Sequence, residues 1–200
     1  TLIGGKEWTG GRNYLVNLIR SLVTYCPGTV TPVLFCGNDV VDGDTDPFES
    51  LPGVEIVHSA AFNRRRNLVS LTRAIALGVD GPVEKMLIEQ DIDAVFEVAK
   101  FYGRNLRMSA IAWLPDFQHR HLPHLFSHAA QLKRELGFRA QISAGRTMML
   151  SSEDARLDCE RFYPMTRGRT HAVHFAVPPV QHSDLDAARV IADGYGLPVN

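Results

Sequence analysis

Residues 112 to 130 read AWLPDFQHRHLPHLFSHAA and hold His119, His121, His124 and His128, half of the eight histidines in the chain. They follow an apolar run, a proline and Asp116. Such a cluster could do three kinds of chemistry. A histidine near neutral pH donates or accepts a proton, and an aspartate beside it orients or deprotonates a hydroxyl. Four imidazoles could also ligate a metal. The zincin arrangement of two histidines four apart with a glutamate between them is missing, however, and no cysteine is close in sequence. Pro123 disfavours a helix turn that would put His124 on one face with His128. No metal ion is therefore expected. Asp116 and His119 are the candidate catalytic pair, and His121, His124 and His128 read as loop surface.

Two other segments carry candidate chemistry. GGKEWTGGRN, residues 4–13, is rich in glycine and runs into an apolar-periodic stretch at 14–23. Backbone N–H groups at Gly10, Gly11 and Asn13 could approach an anion at a helix N-terminus. Neither the dinucleotide fingerprint nor a P-loop is present, and a plain strand-to-helix turn explains the glycines equally well. Arg64-Arg65-Arg66 precedes a helical stretch, where positive charge opposes the helix dipole. That run suits an anionic acceptor, a lipid headgroup layer, or only a solvated loop end.

These segments need a scaffold. Short apolar runs at 32–36, 54–58, 92–98, 108–114, 146–150 and 171–177 read as strands. Between them lie helical stretches at 14–23, 68–77, 83–90 and 127–143, and one from the Ser151-Ser152-Glu153-Asp154 start to Pro164. Strands alternating with helices specify an α/β fold, a Rossmann-like doubly wound parallel sheet. Ligands of such sheets sit beyond the carboxyl ends of the strands, where both the glycine segment and the histidine segment fall. Thr1-Leu2-Ile3 read as the end of a strand whose start is missing, and 194–200 as the start of a new element. The chain is expected to be a piece of a longer protein, with one domain over 1–178 and a linker into a second over 179–200.

Composition narrows the classes. The formal net charge of −1 provides no overall field toward nucleic acid. No apolar run reaches the length of a membrane span. Cys26, Cys36 and Cys159 are odd in number and far apart, so they read as reduced packing residues of a cytoplasmic protein.

Four stretches together resemble a known family. They are Gly10-Gly11-x-Asn13-Tyr14-Leu15-x-Asn17-Leu18, Trp113-x-Pro115-Asp116-Phe117-Gln118-His119-x-His121-Leu122-Pro123, Leu150-Ser151-Ser152-x-Asp154-Ala155, and Val173-x-Phe175-x-Val177-Pro178. They resemble the amino-terminal half of retaining GT-B glycosyltransferases of family 4, the group 1 transferases. The resemblance implies a first Rossmann-like domain that binds mainly the acceptor, facing a second that binds a nucleotide-sugar. It implies sugar transfer with retention, no cofactor and no metal. Partners would be the nucleotide-sugar and a glycan, lipid or small-molecule acceptor, with no nucleic acid; peripheral membrane contact and homodimerisation stay open. Gly10 and Gly11 match the loop near the donor diphosphate. Arg64, Asn13, Gln118 and His121 are the remaining candidate substrate contacts. Many members carry a histidine where this chain has Pro115, which leaves that role between Asp116 and His119. Two other classes compete: a non-catalytic carbohydrate or nucleotide binding module, and a metal-dependent hydrolase built on the histidines.

Overall fold

The computed structural model describes residues 9–41, 43–98, 100–177 and 182–195. The elements run α1 (Thr9–Tyr25), β1 (Val33–Cys36), α2 (Asp46–Glu49), β2 (Glu55–His58), α3 (Asn67–Ala76), α4 (Gly81–Glu89), β3 (Ala94–Val98) and β4 (Ser109–Leu114). They continue with α5 (Gln118–His121), α6 (His128–Ser143), β5 (Thr147–Leu150), α7 (Glu153–Phe162), β6 (Thr170–Ala172) and α8 (His182–Gly194). Every strand pairing is parallel: β1 with β2, and β3-β4-β5-β6 in that order.

The strand side chains alternate between two covered faces, as an apolar run in a parallel sheet requires. On one face Leu34 and Cys36 pack with Leu15 and Ile19 of α1 and Phe48 of α2, while Trp113 meets Tyr14 and Leu18 of α1. On the other face Phe35 and Val95 pack with Val83 and Leu87 of α4. There, too, Ala112, Leu114, Met148 and Leu150 pack with Ile142 of α6 and Ala155 and Cys159 of α7. Helices therefore cover both faces, and the α/β architecture read from the sequence is present. An apolar slot of about 790 Å³ separates the two sheets, lined by Leu34 and Phe35 of β1, Val95 and Phe96 of β3, and Leu18 of α1. The strand expected at Thr1–Ile3 lies outside the described residues.

Several boundaries differ from the sequence expectation, each for a local reason. Among the described residues helix α1 already covers Thr9 to Asn13, ahead of the expected first residue Tyr14, so Gly10 and Gly11 are helical and do not lie in a loop before it. The histidine segment is not a loop throughout: 118–121 forms α5 and 123–125 a 3-10 turn. The last strand stops at Ala172, and 173–177 has no regular structure. Within 179–200, expected as linker, residues 182–194 are helical. Helix starts were read more closely. Ser127 and Ser152 are N-caps whose hydroxyls accept from the N–H of Ala130 and Ala155, and Glu153 and Asp154 add negative charge to the first turn of α7. Cys26, Cys36 and Cys159 are all free thiols.

Candidate functional site

The four stretches that carried the family resemblance meet in one cluster. Tyr14 of α1 stacks face to face on Trp113 of β4, with ring centroids 4.5 Å apart and planes 5° from parallel. The Trp113 Nε1–H donates to Ser151 Oγ at 3.2 Å, just past β5. The Tyr14 hydroxyl donates to the carbonyl of Val173, just past β6, at 3.1 Å. Phe175 lies edge-on to Tyr14 at 4.7 Å. Burial raises the Tyr14 phenol to about 12, so it stays a neutral donor. Trp113 and Ser151 stand where β4 and β5 end, so the cluster forms the floor of the carboxyl-end rim.

Beside it the rim is basic. Arg12 of α1 donates through Nη2 to the carbonyls of Gly43 and Asp44, at 2.8 and 3.0 Å. Arg64 reaches the same turn, its guanidinium 3.1 Å from an Asp44 carboxyl oxygen and its N–H bonded to Asp39. This pins the loop after β1 to Arg12 of α1. A side chain at Gly37 would collide with the backbone of Phe62 and Asn63, so glycine there permits the close approach of the β1 and β2 loops. Lys100, just past β3, donates to the Asn67 side chain. Burial lowers its ammonium pKa, with Lys133 and Arg64 adding repulsion and Asp39 opposing it. Cations gathered at strand ends favour an anionic ligand.

The histidine segment divides in two. Asp116 stands at the rim, two residues past β4, and its Oδ1 accepts from the Gln118 N–H at 3.0 Å and from Arg134 Nη1 at 3.1 Å. His119 turns away into the helix layer and is only 4% exposed. It sits among the rings of Phe117, Phe126 and Phe138. Neither ring nitrogen has a hydrogen-bond partner. Glu135 is 3.7 Å from Nε2, which is too long for a bond. Burial, and then the Arg134 charge, lower the His119 pKa more than Glu135 raises it. The imidazole is therefore neutral at pH 7.

A network unforeseen in the sequence surrounds it. Glu135 accepts from Arg120 at 2.6 Å, from the Tyr163 hydroxyl at 2.8 Å and from Arg139 at 2.7 Å. Burial pushes the Glu135 carboxyl up, but these hydrogen bonds outweigh it and hold it at about 2. Arg120 also stacks over Phe162 and Tyr163. An open pocket of about 570 Å³ is lined by His119, Arg120, His128, Gln131, Glu135 and Phe162. His121 pairs with Asp158 at 2.5 Å. Among the described residues no group of three His, Cys, Asp or Glu side chains is placed to hold one metal ion.

The second unforeseen network lies under the rim. Glu97, fully buried, pairs with Arg146 through both carboxyl oxygens, at 3.0 and 3.2 Å. Arg146 also donates to the Gly103 carbonyl at 2.6 Å, and Glu97 accepts from the Tyr102 N–H at 3.0 Å. Gly103 has φ +111 and lies against Gly78, where a Cβ would meet backbone at 2.2 Å. Together these contacts fix the loop after β3 that presents Lys100. The partners are 49 residues apart, and no local pattern announces them.

Of the residues singled out from sequence, Arg64, Asn13, Gly10 and Gly11 lie on the α1 side, with Gly10 exposed and Gly11 buried. Asp116, Gln118, His119 and His121 lie on the β4–α6 side. Among the described residues no hydrogen bond or ion pair joins the two groups; the stack of Tyr14 on Trp113 links α1 to β4 between them. No protein-family model, curated protein or solved structure matches this chain.

Proposed function

We propose that the chain is the acceptor-side domain of a retaining glycosyltransferase, the first half of a GT-B fold. One observation carries the reading: the Tyr14–Trp113–Ser151–Val173 cluster joins all four stretches that resemble the family. It does so at the carboxyl ends of parallel strands, the side on which open α/β sheets take ligands. Arg64 is paired with Asp44, but the rim also carries Arg12 and Lys100, for which the described residues offer no ion pair. These cations support an anionic substrate, as a nucleotide-sugar is. In the transfer, the bond from the anomeric carbon to the nucleotide phosphate breaks and a bond from the acceptor hydroxyl oxygen forms. The acceptor proton leaves with the phosphate or to solvent.

Asp116, held by Arg134, is the side chain of the histidine segment that reaches the rim, and its carboxylate suits orienting an acceptor hydroxyl. His119 is too enclosed for that work and acts through position, packing the turn that presents Asp116. The division between the two, left open by the sequence, falls to Asp116 in this reading.

The test uses the full-length parent protein and a panel of nucleotide-sugars, with hydrolysis and transfer as readouts. Sugar release or transfer is the expected result. Absence of both turnover and nucleotide-sugar binding in a folded parent would overturn the proposal. In the parent, Asp116→Asn is expected to lower kcat and kcat/KM together by roughly 10²-fold or more, with an unchanged melting temperature. A near-parental kcat in Asp116→Asn would remove this segment from the chemistry.

A further inference from the structure

Helix α3 is built inside out. Of its ten residues only Ala74 is buried. Leu68, Thr72 and Ile75, at i, i+4 and i+7, form a stripe toward solvent, and Leu68 and Ile75 are 76% and 59% exposed. Val69 and Leu77 are exposed as well. The Thr72 hydroxyl, the one polar group in the stripe, turns back to the Leu68 carbonyl at 2.8 Å. An exposed apolar helix face normally has an occupant.

Charge says what the occupant is. From Ala60 to Gly78 the chain has Arg64, Arg65, Arg66 and Arg73 and no acidic residue, although the whole chain is net −1. Asp44 neutralises Arg64; no other ion pair in the described residues takes up Arg65, Arg66 or Arg73. Three of these arginines stand at the N-terminus of α3, where positive charge weakens the helix, and the Arg66 side chain makes no capping bond. Their placement thus favours an external anion at the expense of helix stability. A short apolar face edged by arginine is the pattern of a helix lying in a bilayer interface beside anionic headgroups.

We propose that α3 and the Arg64–Arg66 run dock this protein on an anionic lipid surface, with Leu68, Val69 and Ile75 entering the headgroup–acyl boundary. No helix among the described residues is long and apolar enough to cross a membrane, so contact through this helix is interfacial. The inference does not depend on the transferase reading, since the residues its test changes lie outside the rim set used there and the readout is another.

Vesicle co-sedimentation of this chain tests it, with neutral phosphatidylcholine vesicles and with vesicles containing about one-third phosphatidylglycerol. Binding to the anionic vesicles, weakened by salt and much weaker on neutral ones, is expected. Leu68→Ser/Ile75→Ser and Arg65→Gln/Arg66→Gln should each lower partitioning about tenfold or more while leaving the melting temperature in place. The second pair leaves Arg64–Asp44 intact. No sedimentation of the parent chain with anionic vesicles would overturn the proposal. So would undiminished binding by both double variants. Absence of vesicle binding with a concentration-dependent dimer that Leu68→Ser/Ile75→Ser abolishes would assign the face to a second copy of the chain instead.

Discussion

His119 shows how far a side chain can lie from where its place in the sequence suggests. Its position past β4 suggested a side chain over the sheet edge, but Phe117, Phe126 and Phe138 draw the ring inward. Two of those rings come from beyond α5, so the sequence near His119 did not contain the pocket that buries it. Asp116 was legible because Pro115 stops strand pairing and leaves the next residue at the rim. The burial of His119 has a measurable consequence. A histidine kept neutral in the fold binds fewer protons than in the unfolded chain, so its contribution is fully present above the ordinary value of 6.5 and is lost as pH falls below it. Arg134 and Arg120 strengthen this trend and Glu135 opposes it. The melting temperature is therefore expected to fall between pH 7.5 and 5. In His119→Phe, which removes two unpartnered buried nitrogens, that fall should be shallower; parallel curves for the two proteins would refute the assignment.

Elements were easier to read than contacts. Short apolar runs located all six strands among the described residues, because a strand covered on both faces leaves a continuous apolar signature. Helix starts followed from hydroxyl caps: Ser127 and Ser152 both accept from the N–H three residues on. Removing such a cap costs about 1 kcal/mol. Ser152→Ala is accordingly expected to lower stability by about that amount in a denaturant titration. Ser127→Ala gives the matched comparison on α6. No loss in either would mean that the remaining N–H groups are satisfied by water. What the sequence concealed were the short elements. Helices α2 and α5 have four residues each, too few for a periodicity to develop, and α5 decides where His119 goes. Helix α3 was also foreseen, but which way its apolar stripe faces is visible only in the packing, which leaves it outward.

At the scale of the molecule, sequence order and spatial order part company. Tyr14 and Val173 are 159 positions apart yet hydrogen-bonded, and Glu97 and Arg146 close a buried pair across 49. Such contacts follow from topology, which the alternation of strands and helices implied only in outline. The stack of Tyr14 on Trp113 also makes the protein its own optical gauge. The chain has two tryptophans, Trp8 and Trp113, so Trp8→Phe leaves one emitter, enclosed, hydrogen-bonded and in face-to-face contact with a phenol ring. Contacts of such long sequence separation form late, after the local helices and neighbouring strand pairs. The colour of Trp113 emission should thus change after the far-ultraviolet signal of helix has appeared in a refolding experiment. Tyr14→Leu, which removes the ring and its bond to Val173, should shift the native spectrum to longer wavelength. Simultaneous optical and helical recovery would show instead that the rim closes together with its scaffold.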